Sequence, residues 1–149
     1  MPMLSALGNY KGWQEIKVTI DSGACDTVMP ISLCADIQVK ESAQQMSGLE
    51  YEVANGECIA NEGERRCLVM TQGAKAAKKI TFQVADVHNT LLSVTRAADA
   101  GYQCHLHATG GHLLDTQSGD SIPIIREGNL YTMKACIKAD PNAHFRRQA

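Results

Sequence analysis

Asp21-Ser22-Gly23 occurs once in the 149 residues and directly follows Ile16-Lys17-Val18-Thr19-Ile20, a run that alternates apolar and polar side chains. That alternation is the period of a half-buried β-strand, so an acid stands at the end of a rigid element. Serine and glycine after it make a tight turn. The glycine lets backbone approach closely, and the serine hydroxyl can hydrogen-bond to a second copy of the same turn. Such a turn is half of a two-carboxylate hydrolytic site, in which one ionised acid draws a proton from water while its protonated partner polarises a carbonyl. Taken alone, the tripeptide also reads as an ordinary loop turn.

The flanks add to it. The run Asp21-Ser22-Gly23-Ala24-Cys25-Asp26-Thr27-Val28-Met29 resembles the active-site signature of retropepsins, the aspartic proteases of retroviruses and LTR retrotransposons. Asn89-Thr90-Leu91-Leu92-Ser93-Val94 resembles the family's second segment, a strand that passes beneath the catalytic loop into a short helix. Serine stands there where glycine is usual. The Leu-Leu-Ser-Val form, and Gly128-Asn129-Leu130-Tyr131-Thr132 downstream, look most like copia-type Pol polyproteins. The likeness covers roughly residues 13–137, being closest in the first motif and loose between the two.

The resemblance implies an aspartic endopeptidase acting on a peptide or polyprotein, with Asp21, Ser22 and Gly23 as the catalytic turn and no cofactor. Ala24 and Asp26 would bind the substrate backbone; the neighbouring acidic position of retroviral members is Cys25 here, either a passive small residue or an oxidisable thiol. Thr27 would satisfy a local backbone group or touch substrate. A β-hairpin flap would lie in residues 52–67, with Ala54, Asn55 and Gly56 at its tip and unpaired N–H groups for peptide carbonyls. Asn55-Gly56 is by itself a plain hairpin signal. No second Asp-Ser-Gly or Asp-Thr-Gly exists, so the second acid must come from a homodimer, whose two-fold axis sets each residue beside its own mate. Two carboxylates that close titrate as one unit.

The elements that must position these residues are mostly short strands: 16–20, 50–54, 57–60, 67–70, 80–84, 102–107, 112–115, 122–126 and 130–137. Turns are expected at Asn55-Gly56, Asn61-Glu62-Gly63, Gly110-Gly111, Ser118-Gly119 and Gly128-Asn129. Residues 95–100 read as the one convincing helix, with Gly101 just past its end. The expected fold is mainly β: a retropepsin-like closed barrel, the half-lobe of an acid protease, with one short α-helix and a C-terminal β-hairpin extension. Its parts would be a poorly ordered segment 1–12, the retropepsin-like domain 13–118, the hairpin 119–137 and a polar tail 138–149. A chain of this length suffices for one core.

Composition narrows the partners. With 14 basic and 16 acidic residues the formal charge is −2, which makes no electrostatic case for nucleic acid. No apolar run approaches the ~20 residues needed to span a bilayer, and the start of the chain lacks the form of a signal peptide, so an intracellular site is expected, cytoplasmic or in a retrotransposon particle. Six cysteines without a Cys-x-x-Cys pair read as free thiols. Cys104, His105, His107 and His112 are the one metal-like cluster, but Cys104 and His105 face opposite sides of a strand, which favours no metal. The rival readings are a catalytically silent retropepsin-like dimerisation or peptide-binding module, a small all-β domain that merely contains an Asp-Ser-Gly turn, and a zinc module.

Overall fold

Gln14–Asp21 forms the first strand, β1, and buries Ile16, Val18 and Ile20 while Lys17 stays outside. Each such side chain contributes about 1.5–3 kcal/mol by leaving water. The protein, described here by a computed structural model over residues 12–53 and 55–141, continues with β2 (Val28–Pro30), α1 (Ala43–Met46), β3 (Glu50–Glu52), β4 (Cys58–Ala60), β5 (Glu64–Thr71) and β6 (Lys78–Ala85). Then follow β7 (Thr90–Ser93), α2 (Val94–Asp99), β8 (Tyr102–His107), β9 (Gly110–Asp115), β10 (Ser121–Glu127) and β11 (Leu130–Ala139). The fold is mainly β.

Six strands close into a barrel in the order β1-β7-β2-β6-β5-β11, with β11 returning to pair with β1. Two of its pairings are parallel, β1 with β7 and β2 with β6, and the rest are antiparallel. Closure removes the free edges that an open sheet would expose. The interior is filled by Val18, Met29, Val69, Phe82, Val84, Ala135 and Ile137, all nearly inaccessible. β10, β9 and β8 continue outward from β11 as an antiparallel meander.

Four expectations are corrected. The hairpin 119–137 is not an extension: β10 pairs with β9 across the expected boundary, and β11 is a barrel stave lying between β1 and β5. There are two short helices among the described residues, not one; α1 is capped by Ser42, whose side chain accepts the Gln45 N–H. Gly110-Gly111 is not a turn. Both residues are in β9, where a Cβ on Gly111 would collide with the His105 carbonyl oxygen, so a side chain at Gly111 would force β8 and β9 apart. Finally, the tail begins later than 138, since β11 runs to Ala139 and Lys138 lies over the Trp13 ring at 5.0 Å. Ala54, residues 1–11 and residues 142–149 lie outside the described residues, and with them the expectations placed there.

One buried cation organises the stretch after β2. Arg65 is 2% exposed, and its guanidinium donates to the carbonyls of Ile37, Leu33 and Ile31 at 2.8–2.9 Å and to Pro30 at 3.3 Å. Residues 31–37 form no helix or strand of their own, so their carbonyls need these donors. Burial lowers the pKa of Arg65 from its usual value.

Candidate active site

Asp21 closes β1 and lies in register with Ser93 of β7. Its Oδ1 accepts the Gly23 N–H at 2.8 Å, which folds the turn back on the acid that opens it. Ser22 and Gly23 are exposed, and among the described residues the Ser22 hydroxyl has no hydrogen-bond partner. The loop then has to reach β2, which is not the neighbour of β1. β7 lies between them, parallel to β1 and antiparallel to β2. The residues from Ser22 to Thr27 therefore arch over the end of β7.

Ser93 fastens that arch from below. Fully buried, it donates its hydroxyl to the Ala24 carbonyl at 2.7 Å, and its N–H donates to Thr27 Oγ1 at 3.1 Å. The same hydroxyl accepts the Arg96 N–H at 3.2 Å, capping α2. A glycine here could hold neither the loop carbonyl nor the helix end. The departure from the expected glycine thus has a local physical use.

Asp26 was expected to meet substrate, but the structure uses it internally. It is 4% exposed. Its Oδ1 accepts Arg96 Nη2 at 2.9 Å and Nε at 3.2 Å, and its Oδ2 accepts the Tyr51 hydroxyl at 2.8 Å. Arg96 Nε also donates to the Cys25 carbonyl at 3.0 Å, so one guanidinium holds two successive loop residues. Burial, and then the hydrogen bond to Asp26, push the Tyr51 phenol far above its usual pKa, which leaves it a permanent donor.

Tyr51 belongs to β3, which pairs with β4 in a separate two-stranded hairpin. Its hydroxyl also accepts Asn61 Nδ2 at 2.9 Å. Asn61, 5% exposed, donates to Gln83 Oε1 at 2.8 Å and accepts from Ser42 Oγ at 2.9 Å and the Gly63 N–H at 2.8 Å. All of its polar capacity is used, and it joins the hairpin base to β6 and to the cap of α1. At the tip, Asn55 and Gly56 are exposed and Gly56 has φ +84°. The expected free N–H groups are partly consumed: Gly56 donates to the Val53 carbonyl and Glu57 to Asn55 Oδ1, each at 2.9 Å.

Asp21, Ser22, Gly23 and Ala24 are thus contiguous and held by β7, whereas Asn55 and Gly56 belong to a hairpin tied to the loop through the Tyr51–Asp26 hydrogen bond. Tyr51, Asn61 and Arg96 were missed from sequence. Asn61 sat in an evident turn and Arg96 in an evident helix, but nothing local marks either as a partner of the loop. All six cysteines are free, with Cys34, Cys67 and Cys136 buried and Cys25 and Cys58 exposed. His105 and His112 stack across β8 and β9 with ring centroids 4.7 Å apart. Among the described residues no group of three or more His, Cys, Asp or Glu side chains could hold a metal ion, and no helix is long and apolar enough to cross a membrane. Protein-family models, curated proteins and solved structures give no match to this chain.

Proposed function

We propose that this protein is an aspartic endopeptidase of the retropepsin type, of the kind carried in copia-type Pol polyproteins, whose catalytic pair forms when two copies of the chain meet at Asp21. The observation that carries the reading is the strand order β1-β7-β2: an acid-bearing loop leaves β1, arches over β7 and descends into β2, held by Ser93. A plain surface turn needs no third strand beneath it. The exposed, unpartnered Ser22 hydroxyl beside Asp21 is free to bond across a two-fold axis.

In such a dimer two Asp21 carboxylates share one proton, because like charges that close cannot both ionise. The ionised member takes a proton from a water, and that water attacks the scissile carbonyl. The protonated member hydrogen-bonds the carbonyl oxygen and stabilises the developing charge. The β3–β4 hairpin closes over an extended peptide, most naturally a polyprotein, and excludes bulk water. The reading implies an intracellular setting, in the cytoplasm or a retrotransposon particle.

A catalytically silent dimerisation or peptide-binding module is the second reading. It draws on two observations: Asp26 is sequestered, and the Gly56 and Glu57 N–H groups are already used. Cleavage of an unstructured peptide mixture between pH 4 and 7, with sedimentation alongside, separates the two. Under the enzyme reading Asp21→Asn retains fold and dimer but loses activity to background, since acid–base function alone is worth ~10²–10⁴-fold. Specific activity of the parent falls on dilution, and Ser22→Ala weakens the dimer. An Asp21→Asn protein as active as the parent refutes the proposal, and a parent that dimerises without cleaving favours the silent module.

A further inference from the structure

At one mouth of the barrel, between β5, β6 and the meander, lies a cavity of about 460 Å³ to which Asp21, Ser22 and Gly23 do not contribute. This is within the range of small-molecule sites, which favour barrel mouths, and is the room of roughly 15 waters. Its apolar wall comes from Val69, Leu92, Leu113, Ile122 and Met133. These residues belong to five different strands, so the wall is rigid.

The polar groups of the cavity include donors that no group among the described residues uses. Thr71 continues the inward-facing series Arg65, Cys67, Val69 of β5 and is 7% exposed, yet among the described residues its hydroxyl has no hydrogen-bond partner. The hydroxyl is open to the cavity, where a ligand atom or a water can meet it. The Tyr102 hydroxyl on the same lining is also without a partner among the described residues. Lys78 spends one of its three N–H groups on Asp115 Oδ2 at 2.9 Å. Asp115 itself is fully engaged, since its Oδ1 accepts the Gln117 and Ser118 N–H groups. Lys78 and Lys79 face Asp115 and Asp120 around the lining, and the Arg96 guanidinium is held by Asp26 and the Cys25 carbonyl, so the charges balance and the donors left for a ligand are the remaining Lys78 N–H groups and the Thr71 and Tyr102 hydroxyls.

We propose that this cavity binds a small amphipathic carboxylate of the medium-chain fatty-acid type, its chain along Leu92, Leu113 and Met133 and its head on Lys78 and Thr71. The site is separate from the proposed catalytic pair and does not depend on it. Its test is titration of the ¹⁵N-labelled full chain with sodium decanoate, followed by amide shifts. The amides of Val69, Thr71, Lys78, Leu92 and Met133 should move together with one saturating curve, half-complete between roughly 10 µM and 1 mM. Thr71→Val keeps shape and removes the hydroxyl, and should weaken binding roughly 2–10-fold. Lys78→Met removes the charged donor and should weaken it roughly tenfold or more, and decanol in place of decanoate should lose a similar factor against the parent. Absence of saturable shifts at these amides overturns the proposal. So do shifts confined to the exposed Leu106, Ile125 and Leu130 of the meander and β11, or equal binding of decanol and decanoate that is indifferent to Lys78→Met.

Discussion

Replacing Tyr51 by phenylalanine removes one oxygen from the centre of the network that ties hairpin to loop. The ring stays, so packing is conserved. What is lost is the 2.8 Å hydrogen bond to Asp26 Oδ2 and the acceptor for Asn61 Nδ2. Asp26 is 4% exposed, so water does not replace the phenol at its carboxylate. Hydrogen bonds to charged groups are worth about 1.5–3 kcal/mol, and Asn61 keeps its bond to Gln83. The expected loss is therefore about 2–3 kcal/mol. At roughly 2–4 °C per kcal/mol for a chain of this size, the melting temperature should fall by about 4–12 °C. Urea unfolding at one fixed protomer concentration measures it, because any self-association adds to apparent stability. A cycle with Asp26→Asn should show a coupling of about 1–3 kcal/mol between the two sites. Amide exchange in β3 and β4 should quicken while the barrel strands stay protected. A loss below about 0.5 kcal/mol, or strict additivity in the cycle, would refute the claim that this contact anchors the hairpin.

Arg65→Met should destabilise the chain by about 3–5 kcal/mol by removing the side-chain donors of the Ile31, Leu33 and Ile37 carbonyls, read as a drop in the urea midpoint with little change in slope. In acid, the ion pair with Lys78, followed by the backbone N–H of Gln117, holds the Asp115 carboxyl well below the usual carboxylate range. A depressed folded-state pKa contributes stability above the unfolded value near 4, lost as pH falls further; Asp115→Asn should flatten the acid limb of the stability curve below about pH 4 and leave the neutral region parallel to the parent. Towards a thiol reagent at neutral pH, Cys25 and Cys58 should react first. Burial pushes the Cys34 thiol up to about 11 and Cys67 up to about 12, so these should react only on unfolding, counted spectroscopically in native and denatured protein.

Much of the secondary structure was legible because its causes are local. Alternation at residues 16–20 and 80–84 marks two barrel strands, and the structure lengthens them to Gln14–Asp21 and Lys78–Ala85 by pairing their polar ends. Asn55-Gly56 makes its turn through a positive φ that glycine adopts freely, and the helix after Ser93 ends beside Gly101. Strand neighbours were not legible. Nothing in residues 130–139 says that they close a barrel against β1 and β5, because the pairing with β1 joins segments more than a hundred residues apart and the pairing with β5 more than sixty. Gly110-Gly111 looks like a turn in sequence and is strand in space, since the need for missing side chains comes from the facing carbonyls of His105 and Ile124.

The acid turn divides in the same way. Sequence alone determined that Asp21 ends a strand and that Ser22 and Gly23 bend the chain away from it, because alternation and turn chemistry act within a few residues. Only tertiary structure decided that β7 runs beneath the loop, that Ser93 holds it, and that Asp26 is spent on Arg96 and Tyr51 instead of facing outward. A carboxylate's use depends on which donors reach it, and those donors come from residues 25 and 70 positions away. Chain connectivity brings an acid to the end of a strand; burial and long-range hydrogen bonding determine what it faces there.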